Sequence, residues 1–166
     1  MIFFNCHAQI SRTIYGIPLL TSPNNAKQIL ANKGIIYSES KAEYGNTIIG
    51  RGDIFFANNK WEAIILVVKE NKVYSIGFIM SGNMTDIGEK YMSIGNKLKE
   101  KYDQYASTPT TKETYSSIKI NINFDDNKTL VLTQCEINQF EESTITIGYA
   151  DRVMYNKFQQ DGINDL

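Results

Sequence analysis

The residues that most often carry out chemistry in proteins are scarce in this sequence. It contains one histidine, His7, and two cysteines, Cys6 and Cys135. His7 lies in an apolar N-terminal segment that we expect to be removed, which eliminates a Ser-His-Asp triad, a Cys-His pair and a histidine-metal site from the mature chain. The sequence has no Walker A loop, no GxGxxG turn and no CxxC motif. We therefore predict a protein that is not an enzyme and that uses no cofactor and no metal.

Acidic residues leave one catalytic alternative open, because any two of the 18 acidic side chains could meet as a glycosidase-type carboxylate pair. Two short motifs also have both a functional and a structural interpretation. Arg51-Gly52-Asp53 matches an adhesion tripeptide, but its position between two β-rich segments favours a bulge or a tight turn. The segment 124–128, "FDDNK", offers two carboxylates to Ca²⁺ but lacks the alternating oxygen ligands of a calcium loop, so we predict a hairpin turn.

Aromatic side chains are the remaining candidates for a functional surface. The chain has 10 Tyr, 8 Phe and 1 Trp, and Tyr and Trp favour positions that are half apolar and half wet, including protein interfaces. We predict that Trp61, Tyr74, Tyr115 and Tyr149 lie on a sheet face that the helices leave open, where they bind a protein partner. Ordinary cross-strand packing is the alternative for these four residues.

The charge of the chain argues against nucleic-acid binding, and the length of its apolar segments argues against a membrane span. The net charge is −1, and Lys and Arg are mixed with Asp and Glu throughout the chain. No basic stripe is present to neutralise phosphates, so we expect no nucleic-acid binding. The apolar segments are shorter than the roughly 20 residues of a membrane span, so we expect none.

The N-terminal segment, residues 1–9, is interpreted as a signal-peptide remnant. Cys6-His7-Ala8 before Gln9 fits a cleavage site loosely, although the basic n-region and a full apolar core are missing. We expect no lipid anchor at Cys6, because Phe3-Phe4-Asn5 lacks the small residues expected before an acylated cysteine. A short N-terminal strand is the alternative to the signal-peptide remnant. We expect residues 10–166 to form a single domain that works in the periplasm or outside the cell after export.

Two helices are predicted from caps and periodicity. Residues 23–33 follow a possible cap at Thr21 or Ser22, begin with Pro23 and end before Gly34. A longer helix has an apolar stripe at helical spacing, with Asp86 and Glu89 as a capping box. The residues of this stripe are Ile87, Tyr91, Ile94, Leu98, Tyr102 and Tyr105.

The β-rich segments indicate an antiparallel sheet. They are 46–50, 52–57, 60–68, 73–80, 117–124, 129–137 and 143–149. Cys135 falls in one of them and is expected to be a small buried apolar residue. A short amphipathic helix is predicted near the C-terminus. The fold class is α+β: an antiparallel sheet of about six strands in two helix-then-meander halves, with the helices packed on one face.

Two segments carry a resemblance to known proteins. Gly16-Ile17-Pro18-Leu19-Leu20-Thr21-Ser22 and the helix end Lys97-Leu98-Lys99-Glu100-Lys101-Tyr102-Asp103 resemble motifs of small exported α+β proteins common in Bacteroidetes. Leu20 and Asp103 stand where those proteins usually have Gly. The helix-then-meander unit is also similar to SmpA/BamE-like envelope lipoproteins and to β-lactamase-inhibitor proteins, which carry it twice.

The resemblance implies an envelope or secreted location and a protein-binding role, and it transfers no catalytic residue. Our leading hypothesis is a non-enzymatic envelope or secreted module that binds a protein partner through an open sheet face. The alternative is an inhibitor or immunity-type protein that blocks a cognate enzyme or toxin.

Overall fold

The computed structural model describes residues 9–42 and 45–164, so the predictions about Cys6 and His7 fall outside the described residues. Three helices and ten strands lie within these ranges. The helices are α1 (Pro23–Asn32), α2 (Met84–Tyr102) and α3 (Arg152–Asn164), with a 3₁₀ turn at Asp103–Tyr105. The strands are β1 (Thr13–Ile14), β2 (Ile17–Pro18), β3 (Ile36–Ala42), β4 (Gly45–Phe56), β5 (Asn59–Lys69), β6 (Lys72–Gly82), β7 (Thr110–Glu113), β8 (Ser117–Asp125), β9 (Thr129–Asn138) and β10 (Ser143–Asp151).

The main sheet has eight strands in the order β3-β4-β5-β6-β10-β9-β8-β7, and every neighbouring pair is antiparallel. The α+β class and the antiparallel sheet are confirmed, but the predicted number of about six strands is wrong. The two additional strands of this sheet are β3 and β7. Both are edge strands with mostly exposed residues, so neither has the buried apolar alternation that marks a strand in a sequence.

Two consecutive meanders make up this sheet. Strands β3 to β6 follow α1, strands β7 to β10 follow α2, and the two runs meet where β6 pairs with β10. The predicted segments 46–50 and 52–57 form one strand, β4, with a register shift between Arg51 and Ile54. Gly52 has a φ of 147°, so the Arg-Gly-Asp tripeptide lies in a bulge, as its structural interpretation predicted.

The first helix forms as the sequence predicts. The Ser22 side chain accepts a hydrogen bond from the Asn25 backbone N–H, Pro23 occupies the first turn, and Gly34 follows the helix with a φ of 71°. Ala26 and Leu30 are buried on the face toward the sheet. This short helix therefore covers the part of the sheet formed by the first meander.

The second helix starts three residues earlier than predicted. Its cap is Asn83, whose Oδ1 accepts from the Asp86 backbone N–H at 2.9 Å and whose amide donates to the Asp86 carboxylate at 2.6 Å. The predicted capping box of Asp86 and Glu89 is therefore wrong by one turn. Asn83 lies three residues before Asp86 and caps the helix in its place. The apolar stripe itself is confirmed as core, with Leu98 and Tyr105 partly buried at its C-terminal end.

The third helix lies on the opposite face from α1 and α2. Along β6 and β10, side chains alternate between the two faces, and Tyr155 of α3 lies with Ser75, Gly77, Thr146 and Gly148 rather than with their core-facing neighbours. The prediction that all helices pack on one face is therefore wrong. The reason is the position of β10, which is a central strand. Helix α3 begins directly after its last residue, Asp151, and turns back over the other face.

Asp151 fixes this turn. Its Oδ1 accepts from the Met154 backbone N–H at 3.0 Å and so caps α3, while its Oδ2 accepts from Arg12 Nη2 at 2.6 Å. Arg12 also donates to the Lys128 carbonyl at 2.8 Å. The buried carboxylate of Asp151 thus links Arg12, which precedes β1, to the end of β10 and the start of α3.

The 124–128 segment forms the turn between β8 and β9, and its carboxylates serve the backbone. Asp125 Oδ1 accepts from the Asn127 N–H, and Asp126 Oδ1 accepts from the Lys128 and Thr129 N–H groups. Asp126 Oδ2 accepts from the N–H of Ile10, which is itself buried. This is the hairpin turn that the structural interpretation predicted.

Candidate functional site

The four aromatic residues proposed for partner binding do not share one surface. Trp61 is 1% exposed, its ring lies 5.6 Å from that of Phe78, and its Nε1–H donates to the Phe56 carbonyl at 3.0 Å. Tyr149 is buried on the same side of the sheet, edge-on to Phe56. Both belong to the hydrophobic core, so their placement on an open sheet face is wrong. The largest apolar surfaces are those that gain most from leaving water.

Tyr74 and Tyr115 occupy two further environments. Tyr74 is buried next to α3, with its ring 5.8 Å from that of Phe158. The predicted open face is closed at this point by the helix that the sequence did not place there. Tyr115 is 92% exposed and lies in the turn between β7 and β8. Of the four residues, Tyr115 alone presents its ring to solvent.

We call the side of the sheet opposite α1 and α2 the free face. Strand β6 directs Ile76 and Phe78 into the core, and β10 directs Ile147 there. The intervening residues therefore point to the free face. These residues are Ser75, Gly77, Thr146 and Gly148.

Two glycines meet at the centre of the free face. Gly77 and Gly148 are direct partners in the β6–β10 ladder, and the next residues in the same row are Ile65 on β5 and Leu132 on β9. Because neither glycine has a side chain, the row forms a trough between two apolar walls. Together with the residues around it, this trough forms an open groove of about 460 Å³.

Uncharged polar side chains line the rest of the groove. Asn121 and Asn123 come from β8, Gln134 from β9, and Thr146 from β10. The Asn123 Oδ1 accepts from the Thr133 backbone N–H at 3.3 Å, which orients that amide. Amides both donate and accept hydrogen bonds, so the groove offers paired donors and acceptors at a half-apolar surface.

Tyr155 of α3 forms one wall of the groove. Its position depends on the Asp151 cap, and its neighbour Tyr74 lies against α3. Burial, and to a smaller extent the adjacent Tyr155, raise the pKa of Tyr74 to about 12. Tyr155 is only half-buried, which leaves part of its ring available to a partner.

Charged groups lie around the groove in pairs. Lys119 pairs with Glu136 at 3.1 Å, and Arg152 pairs with Asp125 at 2.9 Å. The groove lining contains no Lys, Arg, Asp or Glu. Its chemistry is therefore hydrogen bonding and apolar contact with a neutral surface, and it contains no nucleophile–base pair.

The groove was not predicted, although the sequence contains a signal for it. Ser75-Ile76-Gly77-Phe78 and Thr146-Ile147-Gly148-Tyr149 share one pattern, with a glycine inside an otherwise apolar strand. Such a glycine indicates a bulge or a close approach by another group. The repeated pattern could have directed attention to these two strands rather than to the aromatic residues.

Cys135 is a free, buried thiol, as the sequence predicted, and burial raises its pKa to about 11. Across residues 9–42 and 45–164, no helix is long and apolar enough to span a membrane.

The comparisons with known proteins add no relative, because the chain matches no family model, no curated protein and no solved structure.

Proposed function

We propose that this protein is a non-enzymatic binding module that holds a protein partner in the free-face groove. The single observation that carries the proposal is the glycine-floored groove itself. Ile65 and Leu132 form its apolar walls, hydroxyl side chains lie beside the glycines, and the amide side chains come from β9 and β8 on the Leu132 side. The floor is rigid because it belongs to the central strands of an eight-stranded sheet. A rigid surface loses little conformational entropy when a partner binds.

The chemistry of the groove favours a neutral polypeptide surface. Amide side chains can pair with backbone N–H and C=O groups, and Ile65, Val67 and Leu132 can bury an apolar side chain between those bonds. Tyr155 supplies a half-buried aromatic ring at the edge, the type of residue in which binding energy concentrates.

We also propose that the protein works in the periplasm or outside the cell. The support is the apolar N-terminal segment and the resemblance to small exported proteins of Bacteroidetes and to SmpA/BamE-like and β-lactamase-inhibitor domains. Fractionation of the native host, with protease added to intact and opened cells, tests this location. The proposed location would be contradicted if the protein stayed protected from protease after the outer membrane was opened and was recovered in the fraction of a cytoplasmic marker.

Gly148→Val is the sharpest test of the groove. A Cβ at this position meets one atom within 4 Å, the Leu132 carbonyl oxygen at 4.0 Å, so the new side chain starts in open space at the floor of the trough. Thr144→Val is the matched control, because Thr144 lies on the same strand and face but does not line the groove. We expect wild type and Thr144→Val to retain a partner from native envelope extracts, and Gly148→Val to lose it at a melting temperature no lower than that of wild type.

Two aromatic variants distinguish the groove from the exposed turn. Tyr155→Ala should weaken binding of the captured partner by about 2 kcal/mol or more if it is a central contact. Tyr115→Ala should have little effect, because Tyr115 lies in the β7–β8 turn. Loss of binding in Tyr115→Ala but not in Tyr155→Ala would place the site at that turn. Full binding by Gly148→Val would contradict the groove proposal.

An inhibitor or immunity-type protein is the second candidate function. The supporting observation is the pair of helix-then-meander runs joined at β6 and β10, with the similar Ser-Ile-Gly-Phe and Thr-Ile-Gly-Tyr segments at the junction. We propose that these runs are two related halves, as in the β-lactamase-inhibitor proteins that the chain resembles. A captured toxin or hydrolase that loses activity when bound would select this function, whereas a structural partner would select the binding module.

A further inference from the structure

A second cavity lies on the opposite side of the sheet from the groove, between α2 and β10. It has a volume of about 290 Å³, which is near the lower end of the range for small-molecule sites, about 300 to 1,000 Å³. Ile94 and Leu98 of α2, Ile147 of β10 and Phe56 at the end of β4 form its apolar walls. We call it the α2 cavity.

Two largely buried tyrosines line the α2 cavity, and their phenol oxygens reach solvent without a hydrogen bond to the protein. Tyr102 is 3% exposed and Tyr149 is 6% exposed, and both line the cavity. Within the described parts of the chain, neither phenol oxygen is hydrogen-bonded. The phenol of Tyr91, on the same helix, instead contacts the Ile120 carbonyl at 3.1 Å and Thr133 Oγ1 at 3.0 Å.

Neither oxygen is sealed from water, because every fully buried side-chain oxygen in the described residues has a hydrogen-bond partner. A ligand in the cavity can therefore reach both hydroxyls. Burial, and next the neighbouring Tyr102, raise the pKa of Tyr149 well above its usual value of 10.0, so its phenol stays protonated and can donate. An oxygen atom of a bound molecule would satisfy this donor.

Two lysines supply positive charge at the cavity. Lys97 and Lys101 lie one turn apart on α2 and are both exposed. Lys101 Nζ lies 5.1 Å from the centre of the Tyr102 ring. Among the described residues, neither lysine forms an ion pair with a carboxylate. The cavity therefore combines an apolar interior, two unpaired phenols and an unneutralised positive edge.

We infer that the α2 cavity is a binding site for a small amphipathic monocarboxylate. The apolar body of the ligand lies against Ile94, Leu98 and Ile147, its carboxylate lies toward Lys97 and Lys101, and an oxygen accepts from the phenols. This site is independent of the proposed partner-binding groove, because the two lie on opposite faces of the sheet.

Titration of the full chain with decanoate, followed by calorimetry and by amide chemical shifts, tests the inference. The uncharged counterpart is 1-decanol, which has the same chain length. We expect saturable decanoate binding, with shifts concentrated on α2 and β10, and weaker binding of decanol. The double variant Lys97→Gln/Lys101→Gln should lower the affinity for decanoate about five- to tenfold, because each exposed charge pair contributes modestly to binding.

Tyr149→Phe separates the phenol from the ring. It should weaken decanoate about three- to tenfold while leaving the melting temperature unchanged, since the oxygen has no partner to lose. Tyr91→Phe is the control and should lower the melting temperature without changing decanoate affinity. Absence of saturable binding in the folded protein overturns the inference. Equal binding of decanoate and decanol, unaffected by the lysine substitutions, overturns it as well.

Discussion

Gly77 and Gly148 lie directly opposite each other at the junction of the two meanders, and their missing side chains create the trough in the free face. Both glycines are on central strands, where a side chain would normally add packing and β-propensity. The face of the sheet thus has a depression at its centre, although the strand pairing is continuous. Substitutions at these glycines can show whether the depression serves binding at a cost in stability.

Gly148→Val should leave the free energy of unfolding unchanged or raise it by about 0.5 to 1 kcal/mol, because glycine is unfavourable in a strand interior. Gly50→Ala is the contrasting variant. Its Cβ would lie 2.7 Å from Ile35 Cγ2 and 2.8 Å from Ile64 Cγ2, so we expect a loss of about 1 to 3 kcal/mol. Urea unfolding of both variants measures the difference, and equal destabilisation would show that the trough is not open space.

Trp61 should behave as a core residue. Its emission should be blue-shifted and resistant to acrylamide, because the indole is buried against Phe78. Trp61→Ala should lower the free energy of unfolding by about 3 to 5 kcal/mol. Red-shifted, readily quenched emission from the folded protein would contradict this burial and restore Trp61 as a candidate contact.

Asp151→Ala should be destabilising by about 2 to 4 kcal/mol, because it removes the α3 cap and the charged partner of Arg12 together. Asp53→Ala is the matched control, since Asp53 pairs with Lys60 at an exposed site where such pairs contribute little. Thermal unfolding compares them. Similar melting temperatures for the two variants would show that the Arg12–Asp151 link is not a main constraint.

Tyr74 should make the protein sensitive to alkali. Its pKa is raised from 10.0 to about 12, so the folded state holds the phenol proton more tightly than the unfolded state. The resulting stability is fully present below pH 10 and is lost as the pH rises toward 12, a change of about 2 kcal/mol. Tyr74→Phe should reduce the slope of unfolding free energy against pH in this range, while the raised pKa of Tyr149 leaves a residual slope. An identical curve would contradict the assignment.

Cys135 should react slowly in the native protein. Its thiol is buried, and its pKa of about 11 leaves little thiolate at pH 8. In a Cys6→Ser background, labelling by a thiol reagent should be slow in buffer and rapid in denaturant. Rapid native labelling would indicate that β9 opens readily.

The sequence by itself determined the elements whose signals are local. Ser22, Pro23 and Gly34 specify the ends of α1 through short-range hydrogen bonds and backbone preference, and the stripe from Ile87 to Tyr102 specifies the buried face of α2. The turn at 124–128 follows from side chains that bond to the backbone two or three residues away. These features were predictable because their causes lie within one or two turns of chain.

Long-range pairing decided the rest. Contacts between residues far apart in the sequence determine which strands lie at the edges of the sheet. They also pair β6 with β10 and place α3 over part of the free face. Trp61 and Tyr74 could not be placed from the sequence, since an aromatic residue in a strand suits either a core or a surface. The groove exists only because Gly77 and Gly148, 71 positions apart in the sequence, are brought into register by the β6–β10 ladder.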